Sequence, residues 1–133
     1  PTDCLLCGRC VRACQQLGFS AISLVSRGIA REVAPPFRQP PPDCVGCLAC
    51  AAVCPTGHIR YTTEARTRTI WGRSFALLAC PSCGAAHLTR AQAEAWAART
   101  GLLREELETC EACKRAATAA AMRRLAAGVR EGP

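Results

Sequence analysis

The chain has 133 residues and a formal net charge of +7 at pH 7. This length allows one domain or two very small ones. Its hydrophobic fraction of 50% overstates the core, because cysteine and alanine supply much of it and aromatic residues make up only 5%. The 12 cysteines are therefore the feature best able to organise the fold, as disulfides or as metal ligands. Their tight clusters of C-x2-C steps favour metal ligation.

The chain opens on four cysteines with the spacing C-x2-C-x2-C-x3-C. They are Cys4, Cys7, Cys10 and Cys14. Ligands at every third residue allow one loop to wrap three corners of an iron–sulfur cubane, so the fourth corner must come from elsewhere. A helix is expected after this loop and is predicted to continue to Gly18, because Gln15 stands where the second run has a proline. The start at Pro1 shows no signal peptide, and a cytoplasmic location is expected.

An insert over residues 19–43 separates the first run from a second one. Short apolar stretches over residues 21–33 predict a hairpin with Gly28 in its turn. The five prolines within residues 35–42 predict an extended loop and exclude a regular helix there.

The second run repeats the spacing of the first and is followed by Pro55, which is expected to end a short helix. Its members are Cys44, Cys47, Cys50 and Cys54. In two-cluster ferredoxins the fourth cysteine of each run ligates the other cluster. The expected ligand sets are Cys4, Cys7, Cys10 and Cys54 for the first 4Fe-4S cluster, and Cys44, Cys47, Cys50 and Cys14 for the second. Two zinc sites are the alternative, but zinc knuckles do not use this triplet spacing.

The remaining elements are predicted from residue 61 onward. Residues 67–79 favour two strands broken at Gly72. Thr89 is expected to cap a helix over residues 90–99 that Gly101 closes.

A second helix is expected over residues 111–127, in an alanine-rich segment without proline or glycine until Gly128. One face of it carries Thr118, Met122, Leu125 and Val129. We expect this face to pack against its own domain rather than against a partner.

Four further cysteines form a third set. They are Cys80, Cys83, Cys110 and Cys113. A closed set of four cysteines most often holds structural zinc; a third iron–sulfur cluster and unmetallated thiols are the alternatives. The N-terminus of the last helix is expected to favour the thiolate at Cys110 and Cys113. His58 and His87 are interpreted as surface or capping residues rather than ligands.

The net charge of +7 counts every thiol as neutral. Metal ligands bind deprotonated, so three centres of about −2 each would lower the net charge to about +1. The positive net charge does not require a nucleic-acid partner, because arginines that solvate buried cluster charge or face an acidic partner also explain it. No apolar run is long enough to span a bilayer.

The two runs resemble the 2(4Fe-4S) domain of a family of redox complexes. The resemblance includes Gly8-Arg9 in the first run and Pro55-Thr56-Gly57 after the second. That family includes the iron–sulfur subunits of NAD-linked hydrogenases and formate dehydrogenases, iron-only hydrogenases, and the large iron–sulfur subunit of respiratory complex I. The resemblance covers residues 3 to about 60. It implies a subunit that relays electrons, and it is specific for the clusters rather than for the partner enzyme.

The sequence thus predicts an α+β protein: a two-cluster ferredoxin domain over residues 1–62, then a small Cys4 domain of zinc-ribbon or treble-clef type over residues 63–133. The expected function is a non-catalytic relay of single electrons between subunits of a larger oxidoreductase, without a small-molecule substrate. No nucleotide loop, nucleophile constellation or paired-carboxylate motif indicates catalysis. The alternatives are a stand-alone ferredoxin, a redox-sensing regulator that binds nucleic acid, and an enzyme with its own flavin or nickel–iron site.

Overall fold

The computed structural model describes residues 3–129, which form a mixed α+β structure as expected. The helices are α1 (Arg9–Gln16), α2 (Ala49–Ala52), α3 (Arg90–Thr100), α4 (Arg104–Glu108) and α5 (Glu111–Val129). The strands are β1 (Ser23–Val25), β2 (Glu32–Ala34), β3 (Tyr61–Glu64), β4 (Thr67–Ile70), β5 (Arg73–Ala79) and β6 (Ala86–Thr89).

The two cysteine runs adopt similar local structures. Each helix begins directly after a residue with left-handed backbone, Gly8 (φ 69°) before α1 and Leu48 (φ 62°) before α2. Each carries a buried cysteine near its start, Cys10 or Cys50. As predicted, α1 is the longer helix and α2 ends before Pro55. Helix α1 ends at Gln16, however, and not at Gly18 as expected, because Gly18 has left-handed backbone with φ 75°. The helices pack against each other, which brings the two runs together.

The insert between the runs forms the predicted hairpin. Strands β1 and β2 are antiparallel, with Ser23 opposite Ala34, and Gly28 begins a 3₁₀ turn between them. The proline-rich segment contains no α-helix and only a short 3₁₀ turn at Pro36–Arg38.

A four-stranded antiparallel sheet follows, in the order β3-β4-β5-β6. The predicted pair broken at Gly72 is confirmed as β4 and β5. The sequence did not predict the outer strands β3 and β6. Strand β3 is joined to β4 by a turn without glycine or asparagine, and β6 has only four residues, so neither carried a strong pattern.

The buried core includes residues from both halves of the chain. Ile70 and Phe75, from β4 and β5, pack in one cluster with residues of the cysteine runs and the hairpin. The other members are Cys10, Val11, Ile22, Val33, Cys50 and Ile59. The division of the chain at residue 62 stays a prediction.

The predicted cap and end of α3 are both present. The hydroxyl of Thr89 accepts a hydrogen bond from the backbone N–H of Gln92 at 3.0 Å, which satisfies one free donor at the start of the helix. Gly101, with φ 70°, follows the last residue, as a left-handed C-terminal glycine does.

The expectations for α5 were partly wrong. Gly128 does not end the helix, which continues to Val129. On the face predicted to pack, Met122 and Leu125 are open, with exposed fractions of 64% and 72%; the side chain of Val129 lies outside the part that the structure describes. Alanine has the highest helix propensity of all residues, so this alanine-rich segment needs less packing to remain helical. Within residues 3–129, no helix has the length and apolar character needed to cross a bilayer.

Candidate functional site: three cysteine centres

The eight cysteines of the two runs line two cavities of nearly equal size. The first cavity has an empty volume of about 340 Å³ and is lined by Cys4, Cys7, Cys10 and Cys54. The second cavity has about 350 Å³ and is lined by Cys14, Cys44, Cys47 and Cys50. Each cavity therefore receives three cysteines from one run and the fourth cysteine from the other.

The short helices explain this exchange between the runs. Cys10 and Cys14 are four residues apart on α1, so they are separated by about 6 Å along the helix axis. Cys50 and Cys54 have the same spacing, on and just beyond α2. Cys10 and Cys14 consequently reach different cavities from α1, and so do Cys50 on α2 and Cys54 just beyond it.

Burial opposes ionisation of the free thiols in both cavities. It raises the pKa of Cys50 to about 11. Burial also raises the pKa of Cys10, which the nearby Cys4 and Cys54 raise further. It raises that of Cys44 too, with Cys47 and Cys14 adding to the effect. Buried thiolates so close to one another are stable only if they ligate a cation, and this favours an iron–sulfur core in each cavity.

Hydrogen bonds to sulfur oppose the effect of burial, because they favour the thiolate and lower the pKa of the thiol. The backbone N–H of Ala21 donates to Sγ of Cys14 at 3.3 Å. At Cys54, burial raises the pKa, but hydrogen bonds from the hydroxyl and backbone N–H of Thr56 and from other backbone groups outweigh it and lower the pKa to about 7. Such donors stabilise negative charge on ligating sulfur.

Side chains from the second half of the chain hold the loop of residues 44–47. Arg73 Nη1 donates to the carbonyl of Cys44 at 2.9 Å. Thr89 Oγ1 donates to that of Val45 at 2.5 Å, and Arg68 Nη1 to that of Gly46 at 2.9 Å. Three successive carbonyls of the loop thus each accept a hydrogen bond from a side chain of the second half of the chain. The N–H of Gly46 is left to donate to Cys44, where it favours the thiolate.

Gly46 is also fixed by steric contact. Its φ is 68°, and a Cβ on this residue would lie 2.6 Å from Cδ2 of Phe75. Because real Cβ atoms do not approach other carbon atoms so closely, the aromatic ring requires glycine here.

A second attachment lies at the end of α1. The guanidinium of Arg99, on α3, donates to the carbonyls of Leu17 and Gly18 and lies 4.5 Å from the ring centroid of Phe19. A cation at the C-terminus of a helix also interacts favourably with the helix dipole. The sequence did not predict either attachment, because most of these side chains look like ordinary surface residues and no local pattern identifies their partners near the two runs.

The third set of cysteines forms one compact group. The four sulfur atoms of Cys80, Cys83, Cys110 and Cys113 all lie within 4.8 Å of one another. The N–H of Cys110 donates to Sγ of Cys80 at 3.3 Å, and the N–H of Cys113 points to Sγ of Cys110 at 3.5 Å. Among residues 3–129, this is the group whose ligand atoms are arranged to hold a single metal ion.

Without a metal, the thiols of this group compete for protons. The N–H of Cys110 lowers the pKa of Cys80 to about 5. Hydrogen bonds to Cys110 and Cys83 raise the pKa of Cys113 to about 12. The expected effect of the helix N-terminus on the thiolates of Cys110 and Cys113 stays a prediction.

The two histidines lie outside this metal-binding group. Half-buried His87 approaches the carbonyl of Leu107 at 3.4 Å through Nε2, and its interpretation as a surface or capping residue stays a prediction. Half-buried His58 lies in the wall of the first cavity, a position that the sequence did not predict.

Comparison with known proteins supports the iron–sulfur interpretation. Residues 1–61 match the family model described as a 4Fe-4S dicluster domain, which supports a ferredoxin-type domain in this part of the chain. A search of curated proteins found no match. The family match and the cysteine groups together indicate iron–sulfur electron transfer.

Proposed function

We propose that the chain transfers single electrons through two 4Fe-4S clusters, one in each cavity. The ligands are Cys4, Cys7, Cys10 and Cys54 in the first cavity and Cys14, Cys44, Cys47 and Cys50 in the second. The observation that carries this proposal is the pair of cavities, each lined by three cysteines of one run and one of the other. Two-cluster ferredoxins distribute their ligands in this way.

The bound clusters would supply reversible one-electron chemistry, and the protein's part is to hold them close together and away from water. Helix α1 contributes Cys10 to the first cavity and Cys14 to the second. Cys50 on α2 and Cys54 just beyond it are divided between the cavities in the same way, which would hold the two clusters close together. Apolar residues such as Ile22 and Ile59 line the two cavities. Backbone N–H groups such as that of Ala21 accommodate the negative charge on sulfur.

The group formed by Cys80, Cys83, Cys110 and Cys113 is proposed to hold zinc. Tetrahedral zinc with Zn–S bonds of about 2.3 Å places its sulfurs about 3.8 Å apart, which agrees with four sulfurs within 4.8 Å of one another. A four-iron cubane holds its thiolates further apart, because a cage of iron and sulfide lies between them. Residues 63–133 would then be a Cys4 domain of zinc-ribbon or treble-clef type that supports the domain at residues 1–62.

We further propose that the electrons pass between subunits of a larger cytoplasmic oxidoreductase. This rests on the resemblance to iron–sulfur subunits of NAD-linked hydrogenases, formate dehydrogenases and complex I. A stand-alone ferredoxin is the alternative. Anaerobic isolation of the tagged protein from its own cells distinguishes them. Recovery with fixed amounts of a flavin- or metal-containing oxidoreductase subunit supports the complex, whereas recovery without any other subunit supports the free ferredoxin.

The electron-transfer proposal is tested by spectroelectrochemical titration of the anaerobically purified protein. We expect reversible bleaching in two one-electron steps at the low potentials of ferredoxin-type clusters. Cys54→Ser should alter the step of the first cluster, and Cys14→Ser that of the second. Protein without reversible reduction would refute the proposal. If Cys14→Ser instead altered the cluster held by the first run, the exchange of ligands between the runs would be wrong.

A further inference from the structure

Trp71 occupies a backbone position that a bulky residue rarely adopts. It and Gly72 form the two-residue turn between β4 and β5, with φ of 54° and 73°. Turns of this kind favour asparagine, aspartate or glycine at both positions, since each has positive φ. A tryptophan at positive φ is strained, and such strain marks places where a side chain is held for a purpose.

The indole of Trp71 is directed to the second cavity. The residue forms part of the cavity wall, next to Cys50 and Ile70. Its Nε1 atom is buried and has no hydrogen-bond partner within the part of the chain that the structure describes. Since a buried N–H without an acceptor is costly, the site calls for an acceptor that arrives with the cavity's occupant.

Cys50 is the protein side chain best placed to become that acceptor. As a neutral thiol its sulfur is a weak acceptor, whereas a metal-bound thiolate is a strong one. The Trp71 side chain lies close enough to Cys50 to interact with its sulfur, and both residues line the second cavity. The free N–H therefore gains its partner when Cys50 ligates a cluster.

We propose, on the basis of the proposed function, that the indole N–H of Trp71 donates a hydrogen bond to the sulfur ligand Cys50 and raises the reduction potential of the second cluster. Trp71 is thus a residue that tunes the second cluster. One electron is taken up from a donor of lower potential, and no bond forms or breaks. The hydrogen bond favours the reduced state because reduction adds negative charge to the sulfurs.

Arginines fixed beside the second cavity would also raise the reduction potential of the second cluster. Arg73 and the buried Arg68 are fixed against the carbonyls of Cys44 and Gly46 beside the second cavity. Arg9 lines the first cavity, but it is exposed, so water and salt screen its charge. A fixed positive charge near a cluster stabilises the reduced form.

The test compares Trp71→Phe with the matched variant Trp96→Phe in redox titrations of the cluster-loaded protein. Phenylalanine retains an aromatic wall and removes the N–H. We expect Trp71→Phe to shift the reduction equilibrium of one cluster about tenfold towards the oxidised form, which is about 59 mV for one electron. The affected cluster should be the one that Cys14→Ser also alters. Trp96, on α3 and outside both cavity walls, should have no effect.

A second readout distinguishes the hydrogen bond from a change in packing. When the indole nitrogens are labelled with ¹⁵N, the protein carries two labelled side chains, because the chain has two tryptophans. Pulsed EPR of the reduced protein should detect a ¹⁵N coupling to the second cluster. Trp71→Phe should abolish this coupling, and Trp96→Phe should leave it. Loaded protein whose potentials are unchanged in Trp71→Phe, or which shows no ¹⁵N coupling, overturns the inference. Protein that binds no iron would instead overturn the proposed function.

Discussion

The buried guanidinium of Arg68, on β4, donates a hydrogen bond to the carbonyl of Gly46 at 2.9 Å. This bond joins the sheet to the loop that carries Cys44 and Cys47. The charge is kept although burial lowers the pKa of the guanidinium, because an arginine pKa starts far above neutrality. The loop is therefore held from outside by a residue far along the chain.

Arg68→Met should destabilise the attachment of this loop. The substitution leaves the buried carbonyl of Gly46 without its donor, which costs about 1 to 3 kcal/mol. We expect the cluster absorbance to disappear faster in guanidinium chloride. If the barrier falls by about 1.4 kcal/mol, the rate of loss rises about tenfold. Arg66→Met, at an exposed arginine beside β4, is the control. Equal rates for the two variants would show that the bond contributes nothing.

Gly46→Ala should prevent normal assembly at the second cavity. The new Cβ would lie 2.6 Å from Phe75 Cδ2, so either the ring or the loop must move. We expect this variant to lose about half of the iron, namely one of two clusters. Gly57→Ala is the matched control: its φ is also positive, 62°, but nothing lies within 4 Å of the position that the added methyl group would take. Gly57→Ala should therefore lose only about 1 to 2 kcal/mol of stability, which is the cost of placing an alanine at positive φ.

A double variant sharpens this prediction. Adding Phe75→Leu to Gly46→Ala removes the aromatic edge and should restore part of the lost iron. If Gly46→Ala alone retains all of its iron, the contact between Gly46 and Phe75 does not determine the loop conformation.

Cys83→Ala should remove the metal of the third group without affecting the clusters. Loss of one of four ligands weakens a closed tetrahedral zinc site strongly, and the cavities of the two runs do not include this residue. We expect zinc to fall to background while iron and acid-labile sulfide remain unchanged. A fall of about four irons per chain would instead show a third 4Fe-4S cluster at this group.

The open face of α5 predicts a contrast between two leucines. Leu125 is 72% exposed and Leu77 is 5% exposed. Leu77→Ala should lower the free energy of unfolding by about 2 to 5 kcal/mol, whereas Leu125→Ala should change it by less than about 0.5 kcal/mol. Chemical denaturation of the zinc-loaded chain measures both. A large loss in Leu125→Ala would show that the face is covered in solution.

The sequence predicted those features that depend on local spacing. The cysteine runs, the turn at Gly28, the break at Gly72 and the cap at Thr89 each rest on a few adjacent residues with a defined backbone preference. The ligand sets stay a prediction from the ferredoxin pattern until the metals are assigned.

The contacts between the halves of the chain could not be predicted in this way. Arg73 and Arg99 look like ordinary surface arginines in the sequence, yet they bond to carbonyls more than 25 residues away. One pattern was available: Arg68 and Ile70 alternate with threonines on β4, which places the arginine on the same side of the strand as a buried isoleucine. An arginine on an apolar face indicates a buried partner.

The central claim is that the two cysteine runs hold two 4Fe-4S clusters. Iron, acid-labile sulfide and zinc per chain, measured on anaerobically purified protein, test it most directly. We predict about eight irons, about eight sulfides and about one zinc. Protein that contains only zinc and no labile sulfide, after anaerobic purification and reconstitution with iron and sulfide, would contradict it.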